Sequence, residues 1–251
     1  GVPEVMLHLR SLGLLHEDVM TVTGNTLKEN LDWWEQSERR QIFKELLFKQ
    51  EQVTADEVIM SPQQAAKRGL TSTITFPVGN IAPEGSVIKS TAIDASVINE
   101  EGVYYHKGAA KVYLSEKAAI YDIKHDKIKA GDILVIIGAG PSGTGMEETY
   151  QVTSALKHLS YGKHVSLITD ARFSGVSTGA CIGHVGPEAL AGGPIGKLRT
   201  GDIIEIKIDC KQLHGEVNFL GTDIENILPS REEAAALLNA RNTHPDLMPD
   251  P

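Results

Sequence analysis

The chain reads ILVII at 133–137, GAGPSGTG at 138–145, MEETYQVTSALKHLSYG at 146–162 and KHVSLITDARFSG at 163–175. Short apolar runs rich in Ile and Val predict buried strands at 133–137 and 165–169. Between them, apolar residues at helical spacing predict an amphipathic helix over 146–162. Open sheets bind ligands beyond the carboxyl ends of their strands, so the polar residues of the two Gly-rich loops are candidate site residues.

The first loop resembles a dinucleotide-binding fingerprint, G-x-G-x-x-G, through Gly138, Gly140 and Gly143. Two features weigh against that interpretation. Asp170 comes 32 residues after Gly138, whereas the ribose-binding acid of that motif follows after about 20 residues. The pattern also predicts Glu147 and Glu148 in a first helical turn, where carboxylates would repel pyrophosphate and favour a divalent cation. A P-loop is excluded because no Lys-Ser/Thr pair follows the glycines.

The composition and net charge of the chain argue against several classes of binding partner. The chain has 251 residues, 41% hydrophobic content and a formal net charge of −9, which argues against nucleic acid or an anionic membrane as partner. No apolar run approaches the roughly 18 residues of a membrane span. The chain opens without Met or a signal-type segment, so we expect part of a longer, cytoplasmic protein.

The remaining patterns predict a mixed, β-rich fold. Strands are predicted at SVIKSTA (86–92), AAKVYLS (109–115), KAGDILVII (129–137) and RTGDIIEIK (199–207). Helices are predicted at 3–12, 26–48, 115–122 and 231–240, the last with a Ser230 cap. Strands outnumber helices beyond the first 55 residues, so the fold class is α+β.

Five ordered blocks resemble the dihydroxy-acid/6-phosphogluconate dehydratase family. They are TVTGNTLKENL (21–31), GNIAPEGSVIK (79–89), the G-M-x-E element in GTGMEETYQVTSAL (143–156), the I-T-D-x-R-F-S-G element in LITDARFSG (167–175) and the G-H-x-x-P-E-A element in GHVGPEA (183–189). The resemblance covers about residues 1–225. It implies a barrel-like C-terminal dehydratase domain over 56–251 with a terminal helix, preceded at 1–55 by the tail of an N-terminal α/β domain.

The resemblance also implies an activity. Family members are hydro-lyases that dehydrate a 2,3-dihydroxy acid to the 2-keto-3-deoxy acid with Mg²⁺ and an iron–sulfur cluster of the 2Fe-2S or 4Fe-4S type. The wording of HGEVNFLG (214–221) and of the segment around 148–184 is similar to the D-xylonate dehydratase branch. A branched dihydroxy acid or a phosphogluconate is the alternative substrate. The family also implies a homodimer or homotetramer acting on a small-molecule sugar acid.

Site residues carry over from the matching motifs. Glu148 takes the position of the magnesium-binding carboxylate, with Glu147 in reserve, although acids also occur in ordinary first helical turns. Ser174 matches the base that removes the C2 proton, although a Ser-Gly pair is also common in turns. Arg172, beside Ser174, could bind the substrate carboxylate. Behind the residues that contact substrate and metal, Asp170 is expected to orient the loop. His184 is expected to support these residues or to shuttle protons, although a loop histidine with only structural contacts is the alternative.

The cysteines are expected to be structural. Cys181 and Cys210 fall in no C-x-x-C spacing, and the family's cluster cysteines belong to its N-terminal half. We therefore expect no iron–sulfur ligand among these residues, and no activity from the 251-residue chain alone. Two other classes stay open: a flavin- or nicotinamide-binding protein that uses GAGPSG, and a non-catalytic swivelling or assembly domain.

Overall fold

The computed structural model describes residues 1–68 and 72–248. The chain separates into two compact units, Gly1–Thr71 and Ser72–Pro251, and each is described by itself. The predicted boundary between residues 55 and 56 concerns the domains of the whole protein and stays a prediction. Among the helices that the structure describes, none has both the length and the apolar character that crossing a membrane requires.

The described part of the first unit is helical. Its helices are α1 (Val2–Ser11), α2 (Leu27–Gln36), α3 (Glu38–Glu51), α4 (Ala55–Val58) and α5 (Pro62–Lys67). The prediction of α1 is confirmed, but the single helix predicted over 26–48 is wrong. Ser37 has extended backbone angles, and its hydroxyl accepts a hydrogen bond from Arg40 N. Ser37 therefore ends α2 and caps the start of α3, because a serine side chain can satisfy an N–H that a helix start leaves unpaired.

One half-buried charge pair joins α1 to α3 in this unit. Arg40 donates from Nε and Nη2 to the two oxygens of Glu4, at 2.7 and 2.9 Å. Trp34 Nε1 donates to the same carboxylate at 2.9 Å. The hydrogen bond from Arg40, more than any other contact, lowers the pKa of Glu4 to about 2. Through its bond to Glu4, Trp34 helps to hold α2 against α1 within this unit.

The second unit is built on an eight-stranded sheet with helices on its outside. Its strands are β1 (Ile74–Thr75), β2 (Gly85–Lys89), β3 (Val103–Tyr113), β4 (Ile133–Ile136), β5 (Glu148–Thr149), β6 (Ser166–Thr169), β7 (Arg172–Phe173), β8 (Cys181–Gly186), β9 (Ile203–Asp209) and β10 (His214–Gly221). Its helices are α6 (Glu116–Lys124), α7 (Pro141–Thr144), α8 (Gln151–Lys157) and α9 (Arg231–Ala240). The strand order is β1-β2-β8-β6-β4-β3-β9-β10, and β5 pairs with β7 in a separate two-stranded sheet.

The sheet combines a parallel and an antiparallel half. The strands β3, β4, β6 and β8 are parallel neighbours, whereas β1, β2, β9 and β10 pair antiparallel. The long strand β3 joins the halves, because residues 103–109 pair with β9 and residues 110–113 pair with β4. The predicted strands at 133–137 and 165–169 are thus confirmed as central parallel strands.

The two ends of the sheet meet and nearly close it. Just after β1, Val78 pairs with Glu216 of β10, with bonds from Val78 N to Gly215 O and from Val217 N to Val78 O. The predicted barrel-like, mixed α+β architecture is therefore confirmed for this unit.

Burial on both faces explains the continuous apolar runs. Ile133, Val135 and Ile137 belong to the core inside the sheet, which also holds the fully buried Phe219. Leu134 and Ile136 belong to a second core, which includes residues of α6 and α8. Because successive side chains of a strand point to opposite faces, a strand covered on both sides carries no polar alternation.

A buried polar network lies where β3, β4 and β6 adjoin. Ser166 Oγ is 2.7 Å from Tyr104 Oη and 2.5 Å from His106 Nδ1. His106 Nε2 is 3.2 Å from Gly131 O. Burial lowers the pKa of His106, against the opposing effect of its bond to Gly131, and raises the pKa of Tyr104 to about 12. The folded state therefore favours the neutral imidazole.

His106 is expected to make the chain less stable in mild acid. A histidine whose pKa is lower in the folded state stabilises the fold above its unfolded pKa of about 6.5, and this contribution is lost as pH falls through that value. In urea unfolding at pH 7 and pH 5, His106→Asn should lose less stability between the two pH values than the wild type. The exposed His158→Asn is the control, and an unchanged slope in His106→Asn would contradict the assignment.

Candidate active site at the strand ends

Asp170 organises the loops that follow β4 and β6. Its carboxylate accepts hydrogen bonds from Gly138 N and Ala139 N at 3.1 Å each, and from Ala189 N at 3.0 Å. The side chain is buried, and this burial raises the pKa of Asp170 even though the three N–H donors act in the opposite direction. Asp170 thus joins its own segment to the 138–139 loop and to Ala189, and it points away from solvent; its orienting role in an active site stays a prediction.

A second carboxylate, that of Glu188, accepts hydrogen bonds from the Gly-rich loop. Both oxygens of Glu188 lie 3.0 Å from Ser142 N, and Oε1 accepts from Ser142 Oγ at 2.5 Å. A Cβ on Gly140 would stand 2.3 Å from Glu188 Oε2. Glu188 therefore takes the N–H at the start of α7, the kind of donor that binds the pyrophosphate in a dinucleotide site.

The third glycine of the fingerprint also serves an internal contact. A Cβ on Gly143 would stand 1.9 Å from the carbonyl oxygen of Gly138. Gly138 itself has φ of +80°, a conformation that glycine adopts without strain. The three glycines are thus explained by close packing within the loop and against Glu188, which argues against the dinucleotide alternative.

Glu147 and Glu148 do not lie in a helical turn, and that prediction is wrong. Gly145 ends α7 in the left-handed conformation, and Met146 follows with φ of +70°, so no helix continues through this point. The next helix, α8, begins only at Gln151. Between them Glu148 and Thr149 form β5, because strand pairing with β7 outweighs their helical spacing.

This pairing brings two predicted site residues together. Glu148 is the direct partner of Arg172 in the parallel pair of β5 and β7. Thr149, the next residue, is buried, so the alternation of a strand directs Glu148 outward. Glu148 and Arg172 are both exposed, and neighbouring strands lie only about 4.8 Å apart. A carboxylate and a guanidinium group therefore stand side by side on one open face.

Ser174 begins a tight turn directly after β7. Ser177 N donates to Ser174 O at 2.9 Å, and Val176 N lies 3.4 Å from Ser174 Oγ. From another strand, Lys89 Nζ donates to Gly175 O at 2.8 Å. The hydroxyl is half-exposed and follows Arg172 by two residues, so a ligand held by Arg172 could reach it.

His184 is the exposed residue of β8 and lies beside Phe173 of β7. Its ring contacts the Phe173 ring edge-on, with centroids 6.0 Å apart. Burial, and to a lesser extent the Arg172 cation, lowers the pKa of His184. Its backbone has φ of +54°, a conformation that non-glycine residues rarely hold outside sites that require it. His184 thus packs against Phe173 of β7, and its role in supporting the site residues or shuttling protons stays a prediction.

The glutamates fit a site to which this chain contributes one or two carboxylates. Mg²⁺ takes oxygen ligands and usually keeps water beside one or two carboxylates. Glu148 is fixed by strand pairing, whereas Glu147 precedes the strand, which favours Glu148 as the ligand. No group of three or more His, Cys, Asp or Glu side chains that could hold a metal occurs among residues 1–68 and 72–248, so water, substrate or other protein segments would complete the shell.

The two cysteines do not fit an iron–sulfur site. Cys181 is fully buried, and burial raises the pKa of its thiol to about 12, whereas cluster ligands are thiolates. The two residues also pack against different cores, Cys181 in the outer one and Cys210 at the inner one. Neither thiol is therefore suited to bind an iron–sulfur cluster.

Sequence reasoning missed two residues of this region. Glu188 and Lys89 both stand inside blocks that carried the family resemblance, GHVGPEA and GNIAPEGSVIK. No spacing rule connects Glu188 with Ser142, or Lys89 with Gly175, across 46 and 86 residues. Only the position of an acid and a lysine within those blocks could have drawn attention to them.

Comparison with known proteins identifies the family to which the chain belongs. The family model described as "Dihydroxy-acid/6-phosphogluconate dehydratase C-terminal" matches residues 57–244. The chain therefore belongs to the dihydroxy-acid/6-phosphogluconate dehydratase family, as the five blocks predicted.

Relatives within the family carry more specific names. The chain is 87% identical over 251 residues to D-xylonate dehydratase YjhG of Escherichia coli (strain K12), covering all of this chain and 38% of that protein. It is 66% identical to D-xylonate dehydratase YagF of the same organism, covering 98% of this chain and 37% of that protein. A dihydroxy-acid dehydratase of Acetivibrio thermocellus is 41% identical, and the match covers 86% of this chain and 35% of that protein. The chain thus spans little more than a third of the length of these relatives.

Proposed function

We propose that this chain supplies part of the active site of a hydro-lyase that converts D-xylonate to its 2-keto-3-deoxy acid. The observation that supports this proposal best is the exposed pair of Glu148 and Arg172, in register on β5 and β7, with Ser174 directly after it. The names of the relatives that share most of this sequence support the choice of substrate.

Each of these side chains has a task in the dehydration. Arg172 binds the substrate carboxylate through paired N–H donors. Ser174, as its alkoxide, takes the proton from C2 while the bond between C3 and its hydroxyl oxygen breaks, which leaves an enol. The Ser174 hydroxyl then gives this proton to the departing hydroxide, which leaves as water. The enol becomes the 2-keto acid when its hydroxyl loses a proton to solvent and C3 gains one from solvent. Glu148 would hold a magnesium ion, which would supply Lewis-acid stabilisation of negative charge on the substrate.

The proposal extends to the whole protein. It includes an iron–sulfur cluster bound by residues other than Cys181 and Cys210, assembly as a homodimer or homotetramer, and a cytoplasmic setting. Because the chain spans 38% of the length of one relative, we expect the 251 residues alone to turn over no sugar acid. Stoichiometric iron in the isolated chain would contradict this part of the proposal.

The test uses the full-length parent protein, purified without oxygen and supplied with Mg²⁺. We would measure 2-keto-3-deoxy acid formation from D-xylonate, a hexonate, 6-phosphogluconate and a branched 2,3-dihydroxy acid. D-xylonate should give the highest kcat/KM. A higher kcat/KM for the branched acid would change the assigned substrate from D-xylonate to that acid. If no acid were turned over with metal and cluster present, the proposed function would be rejected.

Replacement of the two neighbouring glutamates should separate their roles. We expect Glu148→Gln to raise the Mg²⁺ concentration for half-maximal activity by at least about 10-fold, because even outer-shell changes at metal sites cost about 10–100-fold. Glu147→Gln is the matched control and should stay within about twofold of wild type. Magnesium titration of the rate measures both, and the reverse ranking would transfer the ligand role to Glu147.

A further inference from the structure

The turn that carries Ser174 is tied to the barrel at both of its ends. Before the turn, Asp170 is held by three backbone N–H groups. After the turn, Gly179 N donates to Ala92 O at 2.9 Å. Between these anchors, the hydrogen bonds of Ser174 and Ser177 are local to the turn.

Lys89 reaches this turn from a different strand. Its ammonium group donates to Gly175 O at 2.8 Å, across 86 residues of sequence. Among the residues that the structure describes, this is the hydrogen bond that connects 174–178 to another element. Lys89 is the last residue of β2, paired with Ile74 of β1, and its neighbour Ile88 is fully buried against β8. The backbone that carries Lys89 is therefore held within the sheet.

The position of this cation matters for the chemistry of Ser174. A serine hydroxyl is a weak base unless its alkoxide is stabilised by a nearby charge or hydrogen-bond donor. Lys89 places a positive charge 2.8 Å from Gly175 O, the carbonyl oxygen of the residue that follows Ser174. Lys89 is half-buried as a residue, and its ammonium group makes this bond at the exposed surface of the turn.

We propose that Lys89 is a positioning residue for Ser174, which fixes the Ser174 turn through Gly175 O and places a cation where the serine alkoxide forms. This inference rests on the proposed function. It assigns to the second resemblance block, GNIAPEGSVIK, a direct part in building the active site.

The test compares Lys89→Met and Lys89→Arg in the full-length holoenzyme. Methionine keeps an unbranched apolar stem but removes the charge and donors, whereas arginine retains both. Lys207→Met is the matched control, because Lys207 is exposed on β9. We expect Lys89→Met to lower kcat by about 100-fold with little change in KM. The acidic limb of the kcat/KM profile should move to higher pH, and Lys89→Arg should restore both properties.

A second measurement does not depend on activity. Amide hydrogen exchange of the peptide covering 170–180 should be about 10-fold faster in Lys89→Met, because one charge-assisted hydrogen bond is lost. It should remain unchanged in Lys207→Met. Unchanged exchange in Lys89→Met would overturn the inference, and so would a lower kcat with an unmoved acidic limb. If the wild-type protein turned over no acid, the proposed function would fail, while exchange would still decide whether Lys89 fixes the turn.

Discussion

Replacing Ser174 by alanine in the full-length protein is expected to lower kcat for D-xylonate by about 10²–10⁴-fold, the range typical of losing a general base. In the proposed mechanism this hydroxyl takes the C2 proton, and Ser174 comes two residues after the exposed Arg172, directly beyond β7. Alanine removes only this oxygen, and it leaves the bond from Lys89 to Gly175 O available. The initial rate of 2-keto-3-deoxy acid formation measures the effect.

Substrate binding should survive this replacement. Arg172 and Glu148, which we assign to the carboxylate and to magnesium, are unchanged in Ser174→Ala, so calorimetric binding of D-xylonate should stay within about threefold of wild type. Ser160→Ala, at an exposed serine on the same unit, is the control and should keep full activity. A Ser174→Ala variant that kept more than a tenth of the wild-type kcat would show that another group removes the proton.

Replacing Asp170 by alanine is expected to lower the free energy of unfolding by about 3–5 kcal/mol. Three backbone N–H groups, those of Gly138, Ala139 and Ala189, would lose their acceptor at a buried position. Each unsatisfied buried donor costs about 1–3 kcal/mol, and water entry recovers part of this cost. Chemical unfolding followed by circular dichroism measures the change.

Two further variants test the reason for this loss. Asp170→Asn keeps one oxygen acceptor and should lose about 1–3 kcal/mol. Asp209 also accepts two backbone N–H bonds, from Lys211 and Gln212, but in an exposed turn. Asp209→Ala should therefore destabilise the protein less than either change at Asp170. Equal losses at Asp170 and Asp209 would show that burial does not determine the cost.

The central strands were predictable because burial on both faces leaves a simple pattern. The run at 133–137 is entirely apolar, and the run at 165–169 carries only the small polar residues Ser166 and Thr169, both buried; the two runs form β4 and β6. What the pattern could not reveal is that alternate residues serve different cores, Ile133 inside the sheet and Leu134 under the helices. Both faces are apolar, so the sequence does not distinguish them.

The helix predicted over 146–162 was wrong at its start for a tertiary reason. Its apolar spacing holds only for α8, which spans 151–157. Upstream, Met146 adopts a positive φ and Glu148 pairs with Arg172, 24 residues later in the chain. Pairing between distant segments outweighs local propensity, and one sequence without relatives does not show such pairing.

The candidate site was predictable in its residue types and not in its connections. Glu148, Arg172 and Ser174 were identified by resemblance, and the structure places the first two side by side. The glycine fingerprint was ambiguous because it describes only the shape of a loop. Its meaning depends on which groups bind its N–H donors, here Asp170 and Glu188, which follow the loop by about 30 and 46 residues.

The outer edge of β10 is protected along the described chain, and this bears on self-association. Val78 covers the edge near Glu216, and the Asn80 side chain bonds both Phe219 N and Phe219 O, as a neighbouring strand would. Beyond it, Ile227 bridges to Gly221. An uncovered strand edge is a template for pairing with another chain and for aggregation. The Asn80 side chain thus occupies the backbone N–H and C=O of Phe219, two groups through which this edge would otherwise pair with another strand.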